Sequence, residues 1–299
     1  MSLWGIDLGG TKIEGAILSE SDPGSVQHRL RRETGGANGY DHVVGQVVAV
    51  VRDLEAASGV PCPPVIGIGT PGAVDPTLGA LKNSNTTCLN GRPLREDLAR
   101  ALGREVRLAN DANCFALAEA TLGAAAGAEV VMGLILGTGV GGGLVVQGKV
   151  INGHHGIAGE WGHNPICGED QPCYCGRRGC VETVIAGPSL ERFYRSISGV
   201  ELQLPDIVGN ARSGDAHGLA TIQRLREKFG EAIAAVINIL DPDAIVIGGG
   251  VGNLDELYDD ETRAGIRRFL FNPSLETRIL RPRLGDSAGV FGAAVLGRD

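Results

Sequence analysis

The sequence predicts an α/β protein built from two related lobes. Three observations carry that expectation: strand-like and helix-like segments alternate along the chain, short apolar strands repeatedly end in glycine turns, and the opening strand-turn-strand pattern returns near the middle. Residues 3–8 read as a buried strand, Gly9-Gly10-Thr11-Lys12 as a tight turn and residues 13–18 as the returning strand. Residues 41–57 carry apolar side chains at helical spacing, and residues 65–69 form a strand ending in Thr70-Pro71-Gly72. A helix over 94–102, an extended stretch over 106–109 and an Ala-rich helix over 111–123 follow, with Asn110 or Asp111 placed to cap the last. The pattern then restarts as a strand over 130–136, a turn at Gly137-Thr138-Gly139 and a strand over 143–146, with a hairpin turn at Gln147-Gly148. A loop-rich, cysteine-containing insert occupies 152–182. Helices over 187–197 and 219–240, a strand over 244–247 running into Gly248-Gly249-Gly250, and a small-residue helix over 287–296 complete the chain, with the lobe boundary expected near 110–125.

Composition narrows the function classes. The chain has 47 glycines in 299 residues, more than twice the ordinary share of about 7%, yet no G-X-Y period and an ordinary 43% hydrophobic content. Collagen and low-complexity disorder are excluded, so the glycines must act locally. A net charge of −8, with no basic run beyond Arg29, Arg31 and Arg32, argues against nucleic acid as a partner. No stretch is long and apolar enough for a membrane helix and no signal peptide opens the chain, so a cytoplasmic protein is expected.

Three glycine turns follow strands, at Gly9-Gly10, Gly137-Thr138-Gly139 and Gly248-Gly249-Gly250. Backbone amides without a Cβ beside them can approach phosphate oxygens closely, and Thr11 or Thr138 adds a hydroxyl donor. Each turn alone is an ordinary strand connection; three together bring a nucleotide-binding reading level with it. Two look-alikes fail. Gly137 to Gly142 spells G-x-G-x-x-G, but Leu144-Val145-Val146 continues as strand rather than helix; Gly143 to Lys149 spells G-x-x-x-x-G-K, but Val150 replaces the required Ser or Thr. Cys173-x-Cys175-x4-Cys180, with Gly176 and Gly179 interleaved, can turn three thiolates toward one point, and His163 or Cys167 could complete a tetrahedral zinc set. Asn110-Asp111, between a strand and a helix, is a place for a general base beside a substrate-binding amide, or simply for a cap. Glu160, His163 and Glu182 flank the cysteine loop and suit a polyhydroxyl ligand, or a solvated loop face.

In combination, Asp7-Leu8-Gly9-Gly10-Thr11-Lys12, Asn110-Asp111-Ala112-Asn113, Leu136 to Gly143, Gly159-Glu160-Trp161-Gly162-His163 and Cys173 to Glu182 resemble the ROK-family sugar kinases, in the same order and over essentially the whole chain. Segments 82–91 and 160–165 look most similar to the bacterial fructokinase (manno-fructokinase) branch, with the N-acetylglucosamine kinases close behind over 106–118.

The resemblance implies an actin-like (ribonuclease H-like) fold of two lobes, each on a duplicated βββαβα unit, closing over ATP and a hexose. It places a smaller lobe at 1–115, with a C-terminal helix at 287–299 packing back on it, and a larger lobe at 116–286 carrying a zinc loop at 160–182. It implies ATP and Mg²⁺ at Asp7, Gly9, Gly10, Thr11, Lys12, Gly137, Thr138 and Gly139, with Gly248, Gly249 and Gly250 bordering the adenosine. Asp111 is implied as the base, Asn85, Asn110, Glu160, His163 and Glu182 as the sugar contacts, and His163 with Cys173, Cys175 and Cys180 as the structural Zn²⁺ ligands. It also implies a homodimer. The expected reaction is phosphorylation of D-fructose to fructose 6-phosphate, with mannose, glucose or N-acetylglucosamine as alternatives. A sugar-responsive repressor of the same family is disfavoured by the lack of a DNA-binding segment before residue 3, and a non-catalytic binder by the presence of Asp111.

Overall fold

The computed structural model describes residues 2–19 and 24–298, apart from the Asp286 side chain in the Gly285-Asp286-Ser287 segment. The chain divides into two compact units, one formed by residues 1–127, 143–159 and 283–299 and the other by 128–142 and 160–282.

In the first unit the elements run β1 (Ser2–Leu8), β2 (Lys12–Ser19), β3 (Val26–Glu33), α1 (Tyr40–Ser58), β4 (Val65–Thr70), the short β5 (Ala73–Val74) and β6 (Leu81–Lys82), α2 (Leu94–Leu102), β7 (Glu105–Asn110) and α3 (Asp111–Thr121). The sheet order is β3-β2-β1-β4-β7, antiparallel on the β3-β2-β1 side and parallel from β1 to β7. Helix α1 forms because Val43, Val47, Val50, Val51 and Leu54 recur at the spacing of one helical face, and all are buried. It stops at Gly59, whose φ of 67° closes the last turn. This face packs with Ile6, Leu8, Ile13, Ile17, Ile66 and Ile68 of the sheet into one apolar core.

Strand β3 was not expected from the sequence, where Arg29, Arg31 and Arg32 stood only as a short basic run. It is a charged edge strand, a common way of blunting an open sheet edge. Arg31 Nε stands 2.6 Å and Arg29 Nε 3.1 Å from the carboxylate of Glu14, which is only 3% exposed on β2.

In the second half of the chain come β8 (Val130–Leu136), β9 (Val140–Val146), β10 (Lys149–Val150), α4 (Val181–Ile185), α5 (Gly187–Ser198), α6 (Leu204–Arg212), α7 (Ala216–Leu240), β11 (Ala244–Gly248), α8 (Gly249–Gly252), α9 (Asp260–Arg267), β12 (Arg278–Leu280) and α10 (Ala288–Leu296). The second sheet has the order β10-β9-β8-β11-β12, which repeats that of the first strand for strand. The recurring hairpin pattern therefore reflects a duplicated sheet. Strand β9 begins at Val140, not at 143, so Gly141, Gly142 and Gly143 belong to the strand rather than to its turn. Gln147 and Gly148, both at positive φ, make the two-residue hairpin turn.

Helix α10 returns to the first unit and packs on β1, β4 and α3. Its approach depends on missing side chains: a Cβ at Gly5 would run into the Val290 carbonyl, and one at Gly67 into the Ala293 carbonyl.

Candidate functional site

In the first unit Asp7 lies at the end of β1, Gly9, Gly10 and Thr11 form the turn, and Lys12 opens β2. The turn is braced from beneath by Thr34, fully buried, whose hydroxyl donates to the Gly9 carbonyl at 2.7 Å and whose N–H donates to the Thr11 carbonyl at 2.9 Å. Sequence reading missed Thr34, since nothing local marks a lone threonine after a charged strand.

Asn110 ends β7 and caps α3, its Oδ1 accepting the Asn113 N–H at 2.7 Å. The cap is thereby assigned to Asn110, leaving Asp111 as the first helical residue, where its Oδ1 takes the Ala112 N–H at 2.8 Å. The protein around Asp111 withholds enough water to push its carboxyl above the usual carboxylate range, although backbone N–H groups work in the other direction. Asp7 is raised to about 6, first by burial and then by the Asp111 and Glu14 carboxylates, with Lys12 opposing. Two carboxylates, one near the end of β1 and one at the start of α3, thus repel one another, a setting suited to a cation and to proton transfer.

Asn85 sits exposed in the segment after β6, where Asn90 clamps the loop by accepting the Ser84 N–H and donating to the Ser84 carbonyl, both at 2.9 Å. An added Cβ at Gly10 would stand 3.8 Å from Asn85 Oδ1, so the loop reaches the glycine turn.

In the second unit the Gly137-Thr138-Gly139 turn joins β8 to β9 and receives Glu182 from α4, whose Oε2 accepts the Val140 N–H at 2.9 Å. A Cβ at Gly139 would lie 2.7 Å from the same oxygen, so glycine is what lets the carboxylate in. The Gly187 N–H donates to the Gly137 carbonyl at 2.9 Å, and Gly249 packs against Leu136 at the end of β8. The Gly137 and Gly248-Gly249-Gly250 segments are therefore neighbours. Gly249 and Gly250 open the short α8 rather than a plain turn.

Glu160 and His163 bracket a single 3-10 turn over Trp161–His163. Trp161 is the anchor, buried, donating through Nε1 to the Ala232 carbonyl of α7 at 3.1 Å and packing edge-on against Phe229. Gly162 leaves room for the Val140 carbonyl.

The donor atoms of His163, Cys173, Cys175 and Cys180 all lie within 4.8 Å of one another, the spread expected around a single metal ion. One imidazole and three thiols make a closed, structural zinc-type set. Cys167 is not part of this group among the described residues; it is exposed, and its N–H donates to Glu231 at 3.2 Å. Gly176 and Gly179 adopt φ of 86° and 67°, the sharp reversals that bring the thiols together. His163 Nδ1 faces Cys173 Sγ at 3.5 Å, whereas Nε2 lies 3.0 Å from the Tyr174 hydroxyl and 3.9 Å from Glu160 Oε2. Tyr174 was missed in the sequence although it stands inside the Cys-x-Cys motif. With Thr138, Gln171, Glu182 and Arg192 it lines a cavity of about 320 Å³.

Two mixed five-stranded sheets of matching order, glycine turns after their first strands and this histidine-cysteine cluster define an α/β protein with the two-lobe, actin-like sugar kinase fold. The chain belongs to the ROK family, whose model matches residues 3–299. It is 37% identical over 303 residues to an N-acetyl-D-glucosamine kinase of Pectobacterium atrosepticum and 38% identical over 304 residues to one of Pasteurella multocida, each match covering 98% of both chains. Among solved structures it is similar to a ROK hexokinase from Thermus thermophilus (TM-score 0.88, 32% identity, 99% of this chain and 98% of that one). It is also similar to a ROK glucokinase from Streptomyces griseus in complex with glucose and AMPPNP (TM-score 0.77, 28% identity, 100% and 99%). The fructokinase branch expected from segments 82–91 and 160–165 is not supported by these relatives. Sugars that differ by one group are told apart by one or two contacts, which short motifs do not resolve. No helix among the described residues is long and apolar enough to cross a membrane.

Proposed function

We propose that this protein is an ATP-dependent hexose kinase acting on the 6-hydroxyl of N-acetyl-D-glucosamine. The observation that carries the kinase reading is Asp111: relieved of capping by Asn110, raised above the usual carboxylate range and paired with Asp7 in the unit that holds the Gly9–Gly10 turn. The choice of sugar rests on the names of the relatives at 37% and 38% identity. D-fructose is the second reading, favoured by segments 82–91 and 160–165.

In the reaction the sugar oxygen forms a bond to the γ-phosphorus, the bond from that phosphorus to the bridging oxygen of ADP breaks, and Asp111 takes the hydroxyl proton. Asn85, Asn110, Glu160, His163 and Glu182 hold the sugar hydroxyls. Gly9, Gly10, Thr11, Lys12, Gly137, Thr138 and Gly139 offer amides, hydroxyls and one cation to the phosphates, and Gly248, Gly249 and Gly250 border the adenosine. Asp7 fits a water-mediated Mg²⁺ contact, since a cation relieves its repulsion with Asp111; bound there, Mg²⁺ supplies neutralisation of phosphate charge. His163, Cys173, Cys175 and Cys180 fit zinc, which when bound fixes the loop carrying His163.

The test is sugar-dependent ADP release across N-acetylglucosamine, glucose, mannose and fructose. The highest kcat/KM is expected with N-acetylglucosamine. Fructose in first place would move the substrate to the second reading, and no sugar-dependent release from any hexose would reject the kinase.

A further inference from the structure

We propose that Thr86 is a catalytic residue whose hydroxyl donates a hydrogen bond to the γ-phosphoryl group seated at the Gly9–Gly10 turn. The inference rests on the reading of that turn as a phosphate site.

Thr86 is 7% exposed, and its Oγ1 is buried with no hydrogen-bond partner among the described residues. The rest of the residue is satisfied, its N–H donating to Ser84 Oγ at 3.1 Å and its carbonyl accepting the Leu89 N–H at 3.0 Å. An unpaired buried hydroxyl is costly, and a valine of the same shape would avoid that cost, so a threonine here calls for a partner outside the fold. The position of the hydroxyl points to that partner. A Cβ placed on Gly10 would stand 3.7 Å from Thr86 Oγ1 and 3.8 Å from Asn85 Oδ1, ordinary contact distances, so the hydroxyl and the amide lie against the α-carbon of the glycine turn.

Gly10 belongs to the phosphate turn and Asn85 to the sugar contacts. Thr86, next in the chain to Asn85, therefore stands where the transferred group passes from one to the other. A phosphoryl oxygen there accepts the one hydrogen bond Thr86 has left to give. The Asn90 clamp holds the loop before any ligand arrives, which makes the donor preorganised rather than recruited.

Thr86→Val and Thr86→Ser separate this role from a structural one. For Thr86→Val, kcat is expected to fall roughly tenfold to a hundredfold, and Thr86→Ser is expected to stay within about threefold of wild type. Without ligands, Thr86→Val is expected to melt at the wild-type temperature or up to about 2 °C above it, because no internal hydrogen bond is lost. By calorimetry, Thr86→Val should bind AMPPNP about threefold or more weakly while its affinity for ADP stays unchanged, since only the former carries a γ-phosphoryl group. Melting that drops by more than about 3 °C, or equal losses for AMPPNP and ADP, would overturn the proposal. The nucleotide comparison reads Thr86 even if no hexose is phosphorylated, so failure of the kinase reading and failure of this inference give different results.

Discussion

Asn110 takes the helix cap that the sequence left open between it and Asp111. Either could cap α3 by chain position, and the observed bond from the Asn113 N–H to Asn110 Oδ1 gives the cap to Asn110 and leaves Asp111 available for the proposed role of base. Asp111→Asn is expected to keep sugar affinity within a few-fold while kcat drops about 10²- to 10⁴-fold; calorimetry with the sugar and steady-state kinetics check both halves. Asp7 gives a pH prediction. Its folded pKa of about 6 lies above the ordinary carboxylate value, so its contribution to stability is full below pH about 4 and is lost as pH rises through 6. Asp7→Asn should therefore raise the melting temperature of the unliganded protein more at pH 7.5 than at pH 4.5, assayed by melting scans at the two pH values. A gain of equal size at both would point to a cause other than ionisation. The motif residues themselves were legible from residue type and spacing. Thr34, Thr86 and Tyr174 were not, because each matters through a neighbour distant in the chain or across a turn.

At the scale of elements, the 160–182 segment shows why a loop with little core of its own can hold a defined shape. Its backbone is tied by bonds such as Ile166 N–H to the Gly179 carbonyl and Val181 N–H to the Asn164 carbonyl, at 2.8 and 2.9 Å. From α7, Arg224 pairs with Glu169 at 2.6 Å and Trp161 is seated against Phe229. What these contacts leave to a cation is the cluster itself, where the sulfur atoms of Cys173, Cys175 and Cys180 gather around one point and would give up their protons on binding it. Cys175→Ser, or exhaustive chelation, is expected to cut bound zinc to well under one per chain and to weaken sugar binding at least tenfold. Metal analysis and sugar titration measure the two effects. The glycine-cysteine spacing made the sharp reversals readable in advance; spacing alone left His163 and Cys167 open, the resemblance favoured His163, and the structure places it with the three thiols.

For the molecule as a whole, the two sheets share one strand order, and the last helix returns to the unit where the chain began. That return depends on Gly5 and Gly67, which let α10 lie against β1 and β4 backbone to backbone. Gly67→Ala is expected to cost about 3 kcal/mol or more, because the new methyl meets carbonyl and amide atoms instead of yielding side chains. Denaturant unfolding measures this, and a loss under about 1 kcal/mol would show that α10 can move aside. By itself the sequence determined the α/β alternation, the repeated hairpin, the glycine turns and the cysteine cluster. Each of these is written in local periodicity or in close spacing, where residue type constrains a few neighbouring dihedral angles or donor atoms. Only the tertiary structure decided that Arg29 and Arg31 belong to an edge strand around Glu14, that Asn110 rather than Asp111 caps α3, and that Thr86 is left with an unpaired hydroxyl beside Gly10. Those outcomes depend on which distant groups share a desolvated space, and burial and pairing are properties of the packed chain rather than of any segment of it.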